Sequence, residues 1–372
     1  MSETPSAAPL LVEERPAGNG KRVAVVTLNA PATLNSLTLE MIDLLQSALP
    51  RLRADDDVAC ILIRGAGDRA LCAGGDIQAL AQAINRNHAA GEIVDDYAES
   101  FFEREYRLDY ELHRCPTPIV VLGHGVVMGG GLGFFAAGSV RVVTQKSRIA
   151  LPEITIGLFP DAGGSWLLGN LPTGQAAFIG LTGAHLNAQD AVDIGLGTHY
   201  CPLEGLDDVP ARLAAVDWSA DRAEWQAQAE AVFVPLPAGV ADAQIATVAA
   251  EIDLGQGLDP IEGIRAQAGA GAYIDRAIGV MEAGCPTSLG VVCEELRRVR
   301  GLSIEACFQL EMVVATHCAR ERDFAEGVRA LLVDKDNAPR WRYATLAELP
   351  AEHVLNHFEP PWPVNPLADL GA

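Results

Sequence analysis

The apolar positions of this chain run in two rhythms. Residues 22–28 (RVAVVTL), 58–65 (VACILIRG) and 119–123 (IVVLG) are nearly continuous apolar runs, the pattern of strands covered on both faces. Between them the period lengthens to that of a helix: over 38–52, Leu39, Ile42, Leu45, Leu49 and Leu52 form one stripe. A helix opening near Asp76 and a longer one over 97–113 follow, with short strands at 140–144 and 148–152. Strands alternating with helices predict an α/β core over 21–202. From 203 to 350 the chain turns rich in Ala, Glu, Leu and Arg and predicts a mostly helical region, with helices at 260–281, 288–298 and 304–320. Residues 1–20, rich in Pro, Ala, Gly and Glu, read as a flexible arm, and the Pro-rich 351–372 as an extended or disordered tail.

Charge narrows the function classes. The 372 residues carry 49 acids against 27 bases, a net charge of −22, which disfavours a nucleic-acid or anionic-membrane partner. Eight cysteines lie scattered with neither a CxxC pair nor zinc spacing, so free thiols in a reducing, cytoplasmic setting are expected, with no metal. No apolar run approaches the roughly 20 residues of a membrane span.

Two segments repeat one design, an apolar strand followed by clustered glycines and a helix: LCAGGDI (71–77) and GHGVVMGGGLG (123–133). Glycine lets a backbone approach a ligand, and a helix start presents unpaired N–H groups, so two such loops could aim donors at one carbonyl oxygen. Close packing of strand against helix explains each cluster equally well. Residues 151–164, LPEITIGLFPDAGG, then set Glu153 and Asp161 in an otherwise apolar stretch. Taken singly, they read as a surface acid and a helix-starting Asp. His124 reads as a packed strand-end residue and Cys72 as a small buried filler.

In this order, LCAGGDI, HGVVMGGGLG and LPEITIGLFPDAGG resemble the enoyl-CoA hydratase/isomerase (crotonase) superfamily, and within it most closely the 3-hydroxyisobutyryl-CoA hydrolase branch. FEREY (102–106), PTSL (286–289) and FAEGVRALLVDKDNAPRW (324–341) extend the resemblance to residues 23–346. It implies a crotonase-like spiral of ββα units with a mostly helical C-terminal half. It also implies a small-molecule acyl-CoA substrate, no cofactor beyond the CoA of that substrate, and a possible homo-oligomer. By resemblance, the N–H groups of Ala73 and Gly130 polarise a thioester carbonyl; Gly74, Gly75, Asp76 and Glu105 line the substrate; and Lys335 and Arg340 are candidates for the CoA phosphates.

The acids separate the branches. Hydratases of the superfamily carry a glutamate three residues after the middle glycine of the GGG turn, where this chain has Gly133; the second hydratase glutamate matches Glu153. Asp161 stands where hydratases usually have glycine. One acid lost and one gained is the hydrolase pattern: Glu153 attacks the carbonyl or activates water, and Asp161 binds a 3-hydroxyl. Hydrolysis of a short branched 3-hydroxyacyl-CoA is the expected reaction, with enoyl-CoA hydration or isomerisation and non-catalytic acyl-CoA binding as alternatives.

Overall fold

The computed structural model describes residues 8–372, and in it the chain divides into two compact units, each discontinuous in sequence. The first comprises the chain up to Gly75 with Glu111–Ile149 and Leu186–Ala243; the second comprises Asp76–Tyr110, Ala150–His185 and Gln244–Ala372.

In the first unit, strands β1 (Leu10–Pro16), β2 (Arg22–Leu28), β3 (Val58–Gly65), β4 (Ala70–Cys72), β5 (Ile119–Gly123), β6 (Val126–Met128), β7 (Val140–Val143), β8 (Arg148–Ala150) and β9 (His199–Tyr200) build two sheets. The larger has the order β1-β2-β3-β5-β7-β9 and the smaller β4-β6-β8, so consecutive pairs β3/β4, β5/β6 and β7/β8 each send one strand to each sheet. This is the ββα spiral that the motifs imply. From β2 to β9 the large sheet is parallel; only the β1 edge runs antiparallel, Leu10 opposite Leu28 and Pro16 opposite Arg22. Residues 10–16 therefore do not form the flexible arm expected over 1–20, because β2 offers them a free edge to pair with; 1–7 lie outside the described residues.

The apolar runs of β2, β3, β5 and β7 are buried by a cap from later in the chain. Trp218, Trp225, Leu213 and Phe233 pack against Val23, Val25, Leu62, Val120 and Val142. Residue 202 is thus no boundary: 203–243 belongs with the sheet that needs covering, whereas 76–110 and 150–185 belong to the second unit.

The second unit is helical. Its helices include Ile77–Ala90, Gly164–Gly169, Thr173–Thr182, Pro286–Arg298, Ile304–Arg320 and Asp323–Val328. The helix expected over 260–281 is two, Asp259–Arg265 and Ala272–Ala283, since the intervening Gly269 takes a left-handed φ of 85° that breaks the period. The tail is ordered rather than extended: Ala351–Asn356 is helical, Leu367 is fully buried, and Arg107 forms an ion pair with Asp369 at 2.8 Å. Residues 154–157 and 323–327 run backbone to backbone. A Cβ on Gly327 would stand 2.5 Å from the Ile156 carbonyl, and one on Gly157, whose φ is 76°, 2.5 Å from that of Asp323.

Helix propensity favours alanine over glycine by about 1 kcal/mol inside a helix. At Gly327 the steric cost of about 1–3 kcal/mol outweighs it. Gly327→Ala is therefore expected to lower the urea midpoint, and an unchanged or raised midpoint would show that the two segments can part freely.

Candidate active site

Both glycine loops lie in the first unit. Gly129 has φ 50° and ψ −131°, a conformation suited to glycine, and it turns the chain out of β6 into the helix Gly130–Ala137. A Cβ on Gly131 would lie 2.3 Å from the Cys72 carbonyl, so this glycine lets the helix lie on β4. Gly130 opens the helix, and its N–H makes no hydrogen bond among the described residues.

The earlier loop differs from expectation. The Ala73 N–H donates to the Leu34 carbonyl at 3.1 Å, so it is already committed. Gly74, at φ 104°, accepts from the Leu37 N–H at 2.8 Å and donates to the Cys72 sulfur at 3.4 Å. Gly75 bridges to Leu37, and its N–H makes no hydrogen bond among the described residues. Of these two N–H groups the one on Gly75 is thus open among the described residues and the one on Ala73 is not. His124 is packed as expected, its ring nitrogens meeting the Leu122 and Gly67 carbonyls at 3.3 and 3.1 Å.

In the second unit, Asp76 caps the helix Ile77–Ala90 by accepting from the Ala79 N–H at 3.2 Å, a structural task for one residue expected to line the substrate. Glu153 begins a single 3-10 turn, Glu153–Thr155, and is buried rather than a surface acid. Its carbonyl accepts from Ile156 and Leu158, which fixes the backbone, while Oε2 is buried without a partner. Burial, and then the charge of Asp161, push the Glu153 carboxyl well above its usual range.

Asp161 accepts a hydrogen bond from the Tyr106 hydroxyl at 2.6 Å. After it the chain passes through Ala162 and Gly163, at φ 53° and 84°, into the helix Gly164–Gly169. Glu311 accepts from the Gly163 and Ser165 N–H groups at 3.0 and 3.1 Å and from the Ser165 hydroxyl. Burial raises Asp161 to about 6, with the Tyr106 bond opposing it, and raises Glu311 to about 8.

Glu105, on the helix Tyr97–His113, is buried with Oε1 unpartnered; Asp109, one turn on, and Glu295 are buried with both oxygens unpartnered. Desolvation drives all three well above the usual carboxylate range, and neighbouring acids add to it. Among the described residues none of Glu105, Asp109, Glu153, Asp161, Glu295 and Glu311 forms an ion pair, and no group of His, Cys, Asp and Glu is arranged to hold a metal ion. The expected acids Glu105, Glu153 and Asp161 thus share one unit with four residues that sequence reasoning missed: Tyr106, Asp109, Glu295 and Glu311. A signal existed for two of them. Glu295 falls among Val291, Val292, Leu296 and Val299, and Glu311 among Cys307, Phe308, Met312 and Val314, acids on otherwise apolar stripes.

The family model described as enoyl-CoA hydratase/isomerase matches residues 23–358. This chain belongs to that family. Within the enoyl-CoA hydratase/isomerase family it lies on the 3-hydroxyisobutyryl-CoA hydrolase branch, with relatives of that name, designated mitochondrial, in Gallus gallus and Homo sapiens. Both are 32% identical to it; the alignments cover 96% and 90% of this chain and 90% and 86% of theirs. A carnitinyl-CoA dehydratase from Mycobacterium thermoresistibile superposes with a TM-score of 0.83 at 33% identity, covering 98% of this chain and 99% of that one. An enoyl-CoA hydratase from Rhodobacter sphaeroides gives 0.76 at 30%, covering 94% and 97%. The fold is therefore the crotonase fold of this family.

The burial of the acids makes stability depend on pH. A carboxyl raised in the folded state holds its proton after the unfolded chain has lost it, so stability falls as pH climbs from the ordinary value of 4.5 towards the folded one. Glu295→Gln removes one such group and is expected to raise Tm by a few degrees at pH 8 and by less at pH 5, measured by thermal unfolding at both. An equal shift at the two pH values would contradict a buried, protonated Glu295.

Proposed function

We propose that this protein hydrolyses a short, branched 3-hydroxyacyl-CoA thioester, first among them 3-hydroxyisobutyryl-CoA, to 3-hydroxyisobutyrate and free CoA, a step of valine breakdown. One observation carries the reading: Glu153 is buried with an oxygen that has no partner among the described residues, within the influence of the Asp161 charge, while the position three residues after Gly130 is glycine, Gly133. The names of the chicken and human relatives support the same substrate.

In this reading the thioester carbonyl accepts from the N–H of Gly130 and, because Ala73 is committed to Leu34, from that of Gly75. Each donor aimed at the developing oxyanion contributes about 3–4 kcal/mol. Asp161 accepts the substrate 3-hydroxyl, and Glu105 contacts the acyl group. Two routes fit Glu153. Its carboxylate attacks the carbonyl carbon, forms an anhydride and expels the CoA thiolate, and water then cleaves the anhydride. Alternatively it takes a proton from the water that attacks the carbonyl. Neither route calls on a cofactor.

The dehydratase and hydratase names of the two solved structures raise the alternative of enoyl-CoA chemistry. Adding water across a double bond draws on two acids around one water, and Gly133 supplies no second one. Lys335 and Arg340 remain our candidates for the CoA phosphates. The Arg340 side chain is 83% exposed and only 3.9 Å from Glu326, a contact of little energetic weight. Eight free cysteines fit a reducing compartment, and we propose the cytoplasm. No helix among the described residues is long and apolar enough to cross a membrane. A homo-oligomer is the proposed assembly.

Incubation with 3-hydroxyisobutyryl-CoA is expected to release thiol, and crotonyl-CoA to keep its enoyl absorbance. Loss of that absorbance without thiol release, or tight binding without turnover, would overturn the hydrolase reading. Glu153→Gln is expected to lower kcat by a factor of at least about 10³ while CoA binding survives. A single turnover in ¹⁸O-water followed by mass spectrometry tests the first route: label in Glu153 reports an anhydride opened by water at the Glu153 carbonyl. Label in the product alone is shared by an anhydride opened at the acyl carbonyl and by the activated-water route, which trapping of the anhydride with hydroxylamine as a Glu153 or acyl hydroxamate then separates.

A further inference from the structure

The pair of Asp161 and Tyr106 has a geometry beyond what binding a hydroxyl requires. Asp161 is surrounded by groups of its own sign. The charge of Asp161 acts on acids of every neighbouring element: Glu105 and Asp109 on the helix Tyr97–His113, Glu295 on Pro286–Arg298, Glu311 on Ile304–Arg320 and Glu153 on its 3-10 turn. The Cys318 thiol of Ile304–Arg320, pushed up by burial, is neutral. Among the described residues the one side chain donating a hydrogen bond to the Asp161 carboxylate is Tyr106. The phenol has no freedom to look elsewhere: the residue is fully buried, its ring centroid 5.8 Å from Phe102 and 6.1 Å from Phe308. From the other side Glu311 grips Gly163 and Ser165, fixing the turn that carries Asp161.

We infer that Tyr106 is a positioning residue for hydrolysis, keeping the Asp161 carboxylate ionised and aimed so that its other oxygen accepts the 3-hydroxyl of the substrate. This rests on the hydrolase reading above. A hydrogen bond donated to a carboxylate favours the charged form, while the burial of Asp161 favours the neutral one. Tyr106 tips that balance, and through it the enzyme distinguishes a 3-hydroxyacyl group from one without the hydroxyl.

The test compares wild type, Tyr106→Phe and Phe102→Leu on 3-hydroxyisobutyryl-CoA and on isobutyryl-CoA, which lacks the hydroxyl, across pH 4.5–9. Tyr106→Phe keeps the ring and removes only the donor. It is expected to lower kcat/KM about 10- to 100-fold on the hydroxylated thioester and much less on isobutyryl-CoA, the range for a lost hydrogen bond to a charged group. The acid limb of its kcat/KM profile moves up by about one pH unit. Phe102→Leu, which disturbs the same ring packing, is expected to leave that limb in place. Should Tyr106→Phe fail to fold, 3-fluorotyrosine at 106, a stronger donor, is expected to move the limb down. Wild type that hydrolyses neither thioester overturns the hydrolase reading. Wild type that prefers the hydroxylated substrate, with either Tyr106 replacement keeping both preference and limb, overturns the role of Tyr106 alone.

Discussion

A carboxylate buried without a cation is held either by a proton or by hydrogen bonds, and the second unit of this protein is organised around that constraint. Glu105, Asp109, Glu153, Asp161, Glu295 and Glu311 are buried there with no ion pair among the described residues. Glu311 is satisfied by backbone N–H groups at the entry to the helix Gly164–Gly169, and Asp161 by a phenol. Glu153, Glu105, Asp109 and Glu295 each keep at least one oxygen without a partner. Burial raises every member, and for Glu105, Asp109, Glu153, Glu295 and Glu311 the charge of neighbouring acids adds to it, so the hydrogen bonds in the cluster bear on which acid carries charge near neutral pH.

Backbone contact, more than side-chain volume, gives these groups their places. The Glu153 turn is set where 154–157 runs against 323–327 with glycine on both sides, Gly157 and Gly327. In the first unit Gly131 lets a helix lie on the Cys72 carbonyl, and the neighbouring Gly130 keeps an N–H free among the described residues. The two explanations for such clusters, close packing and presentation of donors, are therefore not rivals. Adjacent glycines of one turn do each.

The strands at Arg22–Leu28, Val58–Gly65 and Ile119–Gly123 and the helices at Tyr97–His113 and Ile304–Arg320 stand where the apolar periods put them. Long periodic segments carry that information locally. The period misled where glycine interrupted it at 266–271, and composition misled at both ends. Pro and Ala suggested loose termini, but a sheet edge beside residues 10–16 and a helical surface beside Phe358 and Leu367 order them.

By itself the sequence determined the α/β spiral, the two glycine loops, and Glu153, Asp161 and Glu105 as the acids to examine, because strand and helix periods and ordered motifs are properties of neighbours along the chain. Only the tertiary structure decided that Ala73 has spent its N–H on Leu34, that Trp218 and Trp225 cap a sheet formed far earlier in the chain, and that Tyr106 and Glu311 hold the Asp161 turn. Those facts depend on which groups meet across tens to hundreds of residues. Tyr106 lies 55 positions from Asp161, and Glu311 lies 148 from Gly163, separations at which periodicity carries no signal.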